Sequence, residues 1–313
     1  MNETHADIDP TMEYVSCNLC GGDDTAYHYS RRGALTGKDF RLVRCRNCGL
    51  FYLNPRLTRD ALLALYDEAY YRGEGFDREV NYVEEYDGAY SKTDLGYHLA
   101  RLRRWLPAGA RGLDVGCGTG VLLRELEAAG FDAEGIEPSG FASAFARDRG
   151  HRVRTGDFLE LAVEDGAYDA VLAMEVLEHV HDPRAFIERV HRALRPGGLF
   201  YYTTGNFRGF VWQHRLLRRA VMDSYVTPEG HIVFFSTDVM RRYLREAGFS
   251  TVFIPKEEGR RRESLFLTAH FRRVGLLGDG GLAAASAPVR GLYWLLVRLL
   301  DVFVRPPLPL ARK

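Results

Sequence analysis

The sequence predicts an α/β protein: a mainly parallel sheet flanked by helices, with a small cysteine-bearing ribbon before it and an amphipathic helix after it. Three observations carry this. From residue 112 onward, short apolar runs alternate with amphipathic stretches of helical length, the pattern of strands joined by crossover helices. A glycine-rich turn, Gly116-Cys117-Gly118-Thr119-Gly120, stands where the first of those strands meets its helix. Four of the five cysteines fall in two C-x-x-C turns near the start of the chain.

Composition narrows the class. The 313 residues carry 42 basic and 42 acidic side chains, and 46% of them are hydrophobic, an ordinary globular balance. Zero formal net charge argues against a strongly basic nucleic-acid binder. The first ten residues, MNETHADIDP, lack the basic start and apolar run of a secretory signal. No apolar run approaches the roughly 20 residues that span a bilayer. Paired cysteines without a leader point to a reducing, cytoplasmic setting.

Residues 14–55 read as the ribbon. β-like runs at Thr25–Ser30, Phe40–Arg44 and Leu50–Leu53 are separated by Gly- and Cys-bearing turns. Cys17, Cys20, Cys45 and Cys48 lie in two knuckles, each followed by a glycine that supplies positive φ, and four such thiolates make a closed tetrahedral zinc site. A closed site leaves no position for substrate, so the zinc is assigned a structural role. Residues 56–106 form a helical linker. Thr58 can cap its first helix, a second runs from about Lys92 to Leu106, and Tyr82, Tyr86 and Tyr90 recur between them at helical spacing.

Residues 107–275 hold the βα series. Strands are expected at Gly112–Val115, Ala133–Ile136, Arg152–Arg154, Tyr168–Met174, Leu199–Thr204 and Thr251–Ile254, with another at Ser264–Phe271. Helices are expected at Val121–Ala129, Phe141–Arg149, Pro183–Leu194 and Thr237–Ala247, the last capped by Ser236 and stopped by Gly248. Residues 276–313 are a tail whose apolar-rich helix, 289–304, ends before Pro306-Pro307.

The glycines at 116, 118 and 120 let backbone approach a ligand, and Asp114 stands two residues ahead of them. This G-x-G-x-G spacing suits a carboxylate and a sulfonium better than a pyrophosphate. Glu137, at the end of the second strand, can take ribose hydroxyls. Asp157 can accept from an adenine amine, with Phe158 covering the ring. Met174 opens the run Met174-Glu175-Val176-Leu177-Glu178-His179-Val180, and Arg195-Pro196-Gly197-Gly198 follows.

In that order, these motifs resemble a class I S-adenosylmethionine-dependent methyltransferase, a Rossmann-like fold. The resemblance implies S-adenosylmethionine as cofactor, held by Asp114, Gly116, Gly118, Gly120, Glu137, Asp157, Phe158 and Met174. A segment ahead of the glycine loop commonly covers the cofactor in that family, which brings in Tyr86. A four-cysteine module ahead of such a domain, followed here by Leu50-Phe51-Tyr52-Leu53-Asn54-Pro55-Arg56, resembles sugar C-methyltransferases and related enzymes of bacterial glycan clusters.

The general base of such a transfer is sought in His231 or His179, on loops at the sheet's C-terminal edge; the resemblance to sugar C-methyltransferases, where a Glu-His pair in the corresponding region contributes to catalysis, brings in Glu229 beside His231. The expected acceptor is a small molecule or glycan, a sugar hydroxyl or carbon, lipid-linked if the amphipathic segments 207–225 and 289–304 rest on an anionic membrane face. The plainer reading of those segments is a lid and a packing helix. Two competing functions stay open. One is RNA methylation, with Arg31, Arg32, Arg41, Arg44 and Arg46 of the ribbon docking RNA; the other is a non-catalytic scaffold that binds S-adenosylmethionine. The oligomeric state is left open.

Overall fold

The structure is a computed structural model that describes residues 9–76, 80–88, 95–207, 226–253 and 310–312. The expected strand at Ser264–Phe271, the tail helix 289–304, Tyr90 and residues 208–225 lie outside the described residues.

The ribbon contains β1 (Met12–Glu13), β2 (Thr25–Arg32), β3 (Asp39–Cys45), β4 (Phe51–Leu53) and β5 (Arg56–Leu57). Four short helices follow: α1 (Arg59–Leu63), α2 (Glu68–Tyr71), α3 (Tyr82–Tyr86) and α4 (Leu95–Trp105). Thr58 stands at the N-cap of α1, but its side chain makes no capping bond. The βα series then runs β6 (Arg111–Val115), α5 (Val121–Ala128), β7 (Asp132–Glu137), α6 (Gly140–Asp148), β8 (Val153–Thr155), β9 (Tyr168–Met174), α7 (Pro183–Ala193) and β10 (Leu194–Thr203). After it come β11 (Val233–Phe234), α8 (Thr237–Glu246), β12 (Thr251–Phe253) and β13 (Leu310–Arg312).

The main sheet has the order β12-β13-β10-β9-β6-β7-β8. Strands β8, β7, β6, β9 and β10 are parallel, and β13 is antiparallel to both of its neighbours. Parallel strands covered on both faces read as unbroken apolar runs, and Ala170 to Ala173 of β9 are buried without alternation. Local chemistry sets the helix ends. Asp182 accepts the Ala185 N–H (3.0 Å) ahead of Pro183 at the start of α7, and Ser236 caps α8 through the Val239 N–H.

The ribbon is not self-contained. Its sheet has the order β11-β4-β3-β2, so the fourth strand arrives from residues 233–234, about 180 positions downstream of β4. Some forty residues cannot bury both faces of their own sheet. One core accordingly joins Leu19, Phe40, Leu42 and Tyr52 of the ribbon to Phe186, Phe234, Tyr243 and Leu244. Asn18, inside the first cysteine knuckle, fastens the joint. It donates to Asp182 Oδ1 (2.8 Å) and accepts from the Arg184 N–H (3.1 Å) and the Tyr243 hydroxyl (3.0 Å). Among the described residues, no helix is long and apolar enough to cross a membrane.

Candidate active site

The loop from β6 into α5 is held in a shape only glycine tolerates. Gly116, Gly118 and Gly120 sit at φ +71°, +52° and +85°. A Cβ on Gly116 would lie 2.7 Å from Val176, and one on Gly120 would lie 2.9 Å from the His151 ring. The Gly118 N–H donates to Glu137 Oε2 (2.9 Å), while Glu137 Oε1 accepts from the Ser139 N–H (2.9 Å) and the Tyr71 hydroxyl (3.1 Å). Glu137 is buried, and burial pushes its pKa up against the pull of those three donors. Asp114, also buried, is pushed up to about 8, first by desolvation and then by the Glu137 charge.

Two buried acids beside a glycine turn make a pocket complementary to a cation carrying a ribose. S-adenosylmethionine has both parts, so these residues fit it.

Other expected cofactor residues are placed differently. Asp157 pairs with Arg59 of α1 (2.8 Å) and accepts the Leu159 N–H (2.7 Å). Phe158 is buried in the core against Phe186 (5.0 Å between rings) rather than standing over a cleft. Burial against α7 takes this side chain away from the adenine-covering role. Met174 ends β9 half-buried, with the Thr203 hydroxyl 4.0 Å from its sulfur.

Tyr86 hydrogen-bonds His151 (2.8 Å) and points toward the ends of α5 and α6. The tyrosine that meets Glu137 is Tyr71, which the sequence reading did not single out. Its doublet with Tyr70, within a run of aromatics from Tyr66 to Tyr90, is the mark it leaves in the sequence.

At the C-terminal end of β9, Glu175 takes a left-handed φ of +54°, and the chain turns into Leu177–His179. Ligand-type atoms of Glu178, His179 and His231 lie within 4.8 Å of one another, and the two imidazoles are 4.9 Å apart between centroids. His179 Nδ1 is 2.9 Å from the Gly230 carbonyl, which can only accept, so Nδ1 carries the proton and Nε2 the lone pair. The Tyr66 oxygen lies 2.8 Å from the same Nδ1. His179 does not cap α7; Asp182 does.

Glu229 departs from the expected catalytic pairing with His231. Its buried carboxylate accepts N–H bonds from Ala34 (2.7 Å), Leu35 (2.9 Å) and Thr36 in the β2–β3 hairpin. With every bond directed into the ribbon, it braces the His231 loop instead of facing the histidines.

The four cysteines converge. Cys17 and Cys48 sulfurs are 3.4 Å apart, those of Cys20 and Cys45 are 3.5 Å apart, and all four lie within 4.8 Å of one another. A tetrahedral four-thiolate zinc site has S···S edges of about 3.8 Å, so the spacing fits such an ion. Gly21 (φ +73°) and Gly49 (φ +80°) close the knuckles, donating to the carbonyls of Cys17 (2.7 Å) and Cys45 (3.0 Å). Burial pushes the Cys17 thiol up to about 11. Burial also acts on Cys45, but N–H groups of Cys48 and Asn47 and the Cys20 thiol outweigh it and bring the Cys45 thiol to about 7. Cys117 lies apart, inside the glycine loop.

With this geometry in place, comparison defines the class. A family model described as a methyltransferase domain matches residues 89–253, more than half of the 313-residue chain. The chain belongs to the class I S-adenosylmethionine-dependent methyltransferase family. A ubiquinone biosynthesis O-methyltransferase of Aromatoleum aromaticum is 32% identical over 163 residues, 46% of this chain and 65% of that protein. One from Methylobacterium nodulans is 42% identical over 125 residues, 37% and 50% of the respective chains. The chain thus spans about half to two-thirds of the length of these curated relatives. Phosphoethanolamine N-methyltransferase 2 of Haemonchus contortus shares the fold, with a TM-score of 0.53 at 18% identity over 84% of this chain and 63% of that one.

Proposed function

We propose that this protein transfers the methyl group of S-adenosylmethionine to a hydroxyl of a small-molecule or glycan acceptor, with carbon as the alternative acceptor atom. The observation that carries this is the His179 imidazole at the sheet's C-terminal edge, its Nδ1–H anchored on Gly230, the tautomer in which Nε2 carries the lone pair of a base. When bound, the cofactor supplies an electrophilic sulfonium methyl. Gly116, Gly118 and Glu137 would hold it. His179 Nε2 would take the proton of the acceptor hydroxyl as that oxygen receives the methyl group. The products are a methyl ether, S-adenosylhomocysteine and a proton. His231, edge-on to His179, orients the acceptor or the base.

The named O-methyltransferase relatives support a hydroxyl target. Cys17, Cys20, Cys45 and Cys48 would hold a structural zinc ion that takes no part in the transfer. The ribbon arginines speak for packing rather than RNA docking: Arg31 donates to the Val226 carbonyl, Arg44 stacks on Phe51 and Arg46 pairs with Asp24.

Incubation with methyl-labelled S-adenosylmethionine and panels of phenols, nucleotide sugars and glycans tests the reading. Label in a hydroxylated acceptor, lost in His179→Ala, is expected. Label that enters only RNA, or enters an acceptor equally well in His179→Ala, would contradict it.

A further inference from the structure

Behind the glycine loop lies a hydrogen-bonded relay, buried at its central histidine, that the transfer reaction does not use. His151, in the turn between α6 and β8, is 7% exposed. Its Nδ1 is 2.9 Å from Glu127 Oε2 on α5, and its Nε2 is 2.8 Å from the Tyr86 hydroxyl on α3. An ionised carboxylate only accepts, so Nδ1–H donates to Glu127, the tautomer in which Nε2 accepts the Tyr86 O–H. Three helices are joined through one imidazole. The same ring packs against the cofactor loop, with no room for a Cβ on Gly120.

Further bonds hold α3 on that loop. The Thr119 hydroxyl donates to the Tyr82 carbonyl (3.3 Å), and Arg124, one turn into α5, donates to the Tyr86 carbonyl. Arg124 and Arg149 each lie 5.0 Å from the Tyr86 ring centroid. At its other end, α3 stacks Tyr82 on Tyr70 (5.4 Å) beside Tyr71, the residue bonded to Glu137.

We propose that Tyr86, His151 and Glu127 form a latch that holds α3 down on the cofactor loop, and that Tyr86 and His151 are positioning residues for S-adenosylmethionine. The proposal rests on the cofactor reading above. In this latch Tyr86 acts on the cofactor loop through His151. Opening the latch frees α3 and, through Tyr82, the tyrosines beside Glu137.

The test is the dissociation rate of labelled S-adenosylhomocysteine from the full chain by rapid displacement, alongside melting temperature. Tyr86→Phe removes one hydrogen bond and should speed dissociation about five- to tenfold with the melting temperature nearly unchanged. Glu127→Gln keeps an acceptor for Nδ1–H and should stay near the parent rate, whereas Glu127→Leu should resemble Tyr86→Phe. His151→Phe combined with Tyr86→Phe should be no faster than the faster single variant. Parent-like dissociation in Tyr86→Phe and Glu127→Leu, with normal binding by the parent, overturns the latch alone. Failure of the parent to bind S-adenosylhomocysteine overturns the cofactor reading and the latch with it.

Discussion

At the scale of single residues, the site turns on charges placed out of water. Asp114 is held near pKa 8 by burial and by Glu137, so much of it is protonated at neutral pH. A bound cation favours its ionised form, which lowers that pKa and releases a proton on binding. Affinity for S-adenosylmethionine should therefore strengthen as pH rises from 6 towards 8, by up to about tenfold per unit, and level off above. Calorimetry in buffers of different ionisation enthalpy would register the released proton; constant affinity across that range without proton release would contradict the placement. His179→Ala should lower kcat about 10²- to 10⁴-fold while leaving cofactor affinity intact, as measured by steady-state kinetics beside binding. The convergence of Glu137 and Asp114 on the glycine turn was legible in the sequence because their spacing is imposed by strand ends and a tight turn. Glu229 and Phe158 were not. Whether a carboxylate or a ring faces a cleft or a neighbouring hairpin depends on tertiary contacts that adjacency in sequence does not encode.

At the scale of elements, the βα series from β6 to α8 follows the residue pattern closely, since hydrophobic period and capping residues act locally. The long-range pairing of β11 with β4 left no such mark, because two residues of strand carry no readable period. That pairing gives Glu229 its task. It satisfies three hairpin N–H groups, and Glu229→Ala would leave them without a carboxylate at a cost of about 1–3 kcal/mol. A lowered melting temperature, together with reduced turnover through the loosened His231 loop, is expected; a variant with parental stability would refute the brace. Gly120→Ala should cost about 1–2 kcal/mol for its left-handed backbone and also push on the His151 ring. Stability and cofactor affinity, measured together, should both fall.

At the scale of the whole molecule, one core spans the four-cysteine ribbon and the methyltransferase sheet, so the ribbon serves as a wall of the catalytic unit. Metal analysis should find one zinc ion per chain. Its removal by a chelator should lower the melting temperature and turnover more than cofactor affinity, because the ribbon supports β11 and the His231 loop while the glycine cleft stands on the main sheet. The most direct test concerns that cleft. Calorimetric titration of the full, metal-loaded chain with S-adenosylhomocysteine should give one site per chain, and Glu137→Ala should weaken it by a hundredfold or so, as expected when a hydrogen-bonded charge is removed (about 1.5–3 kcal/mol per bond). No binding by the parent chain, or equal binding by Glu137→Ala, would contradict a nucleoside cation seated between Glu137 and the glycine loop.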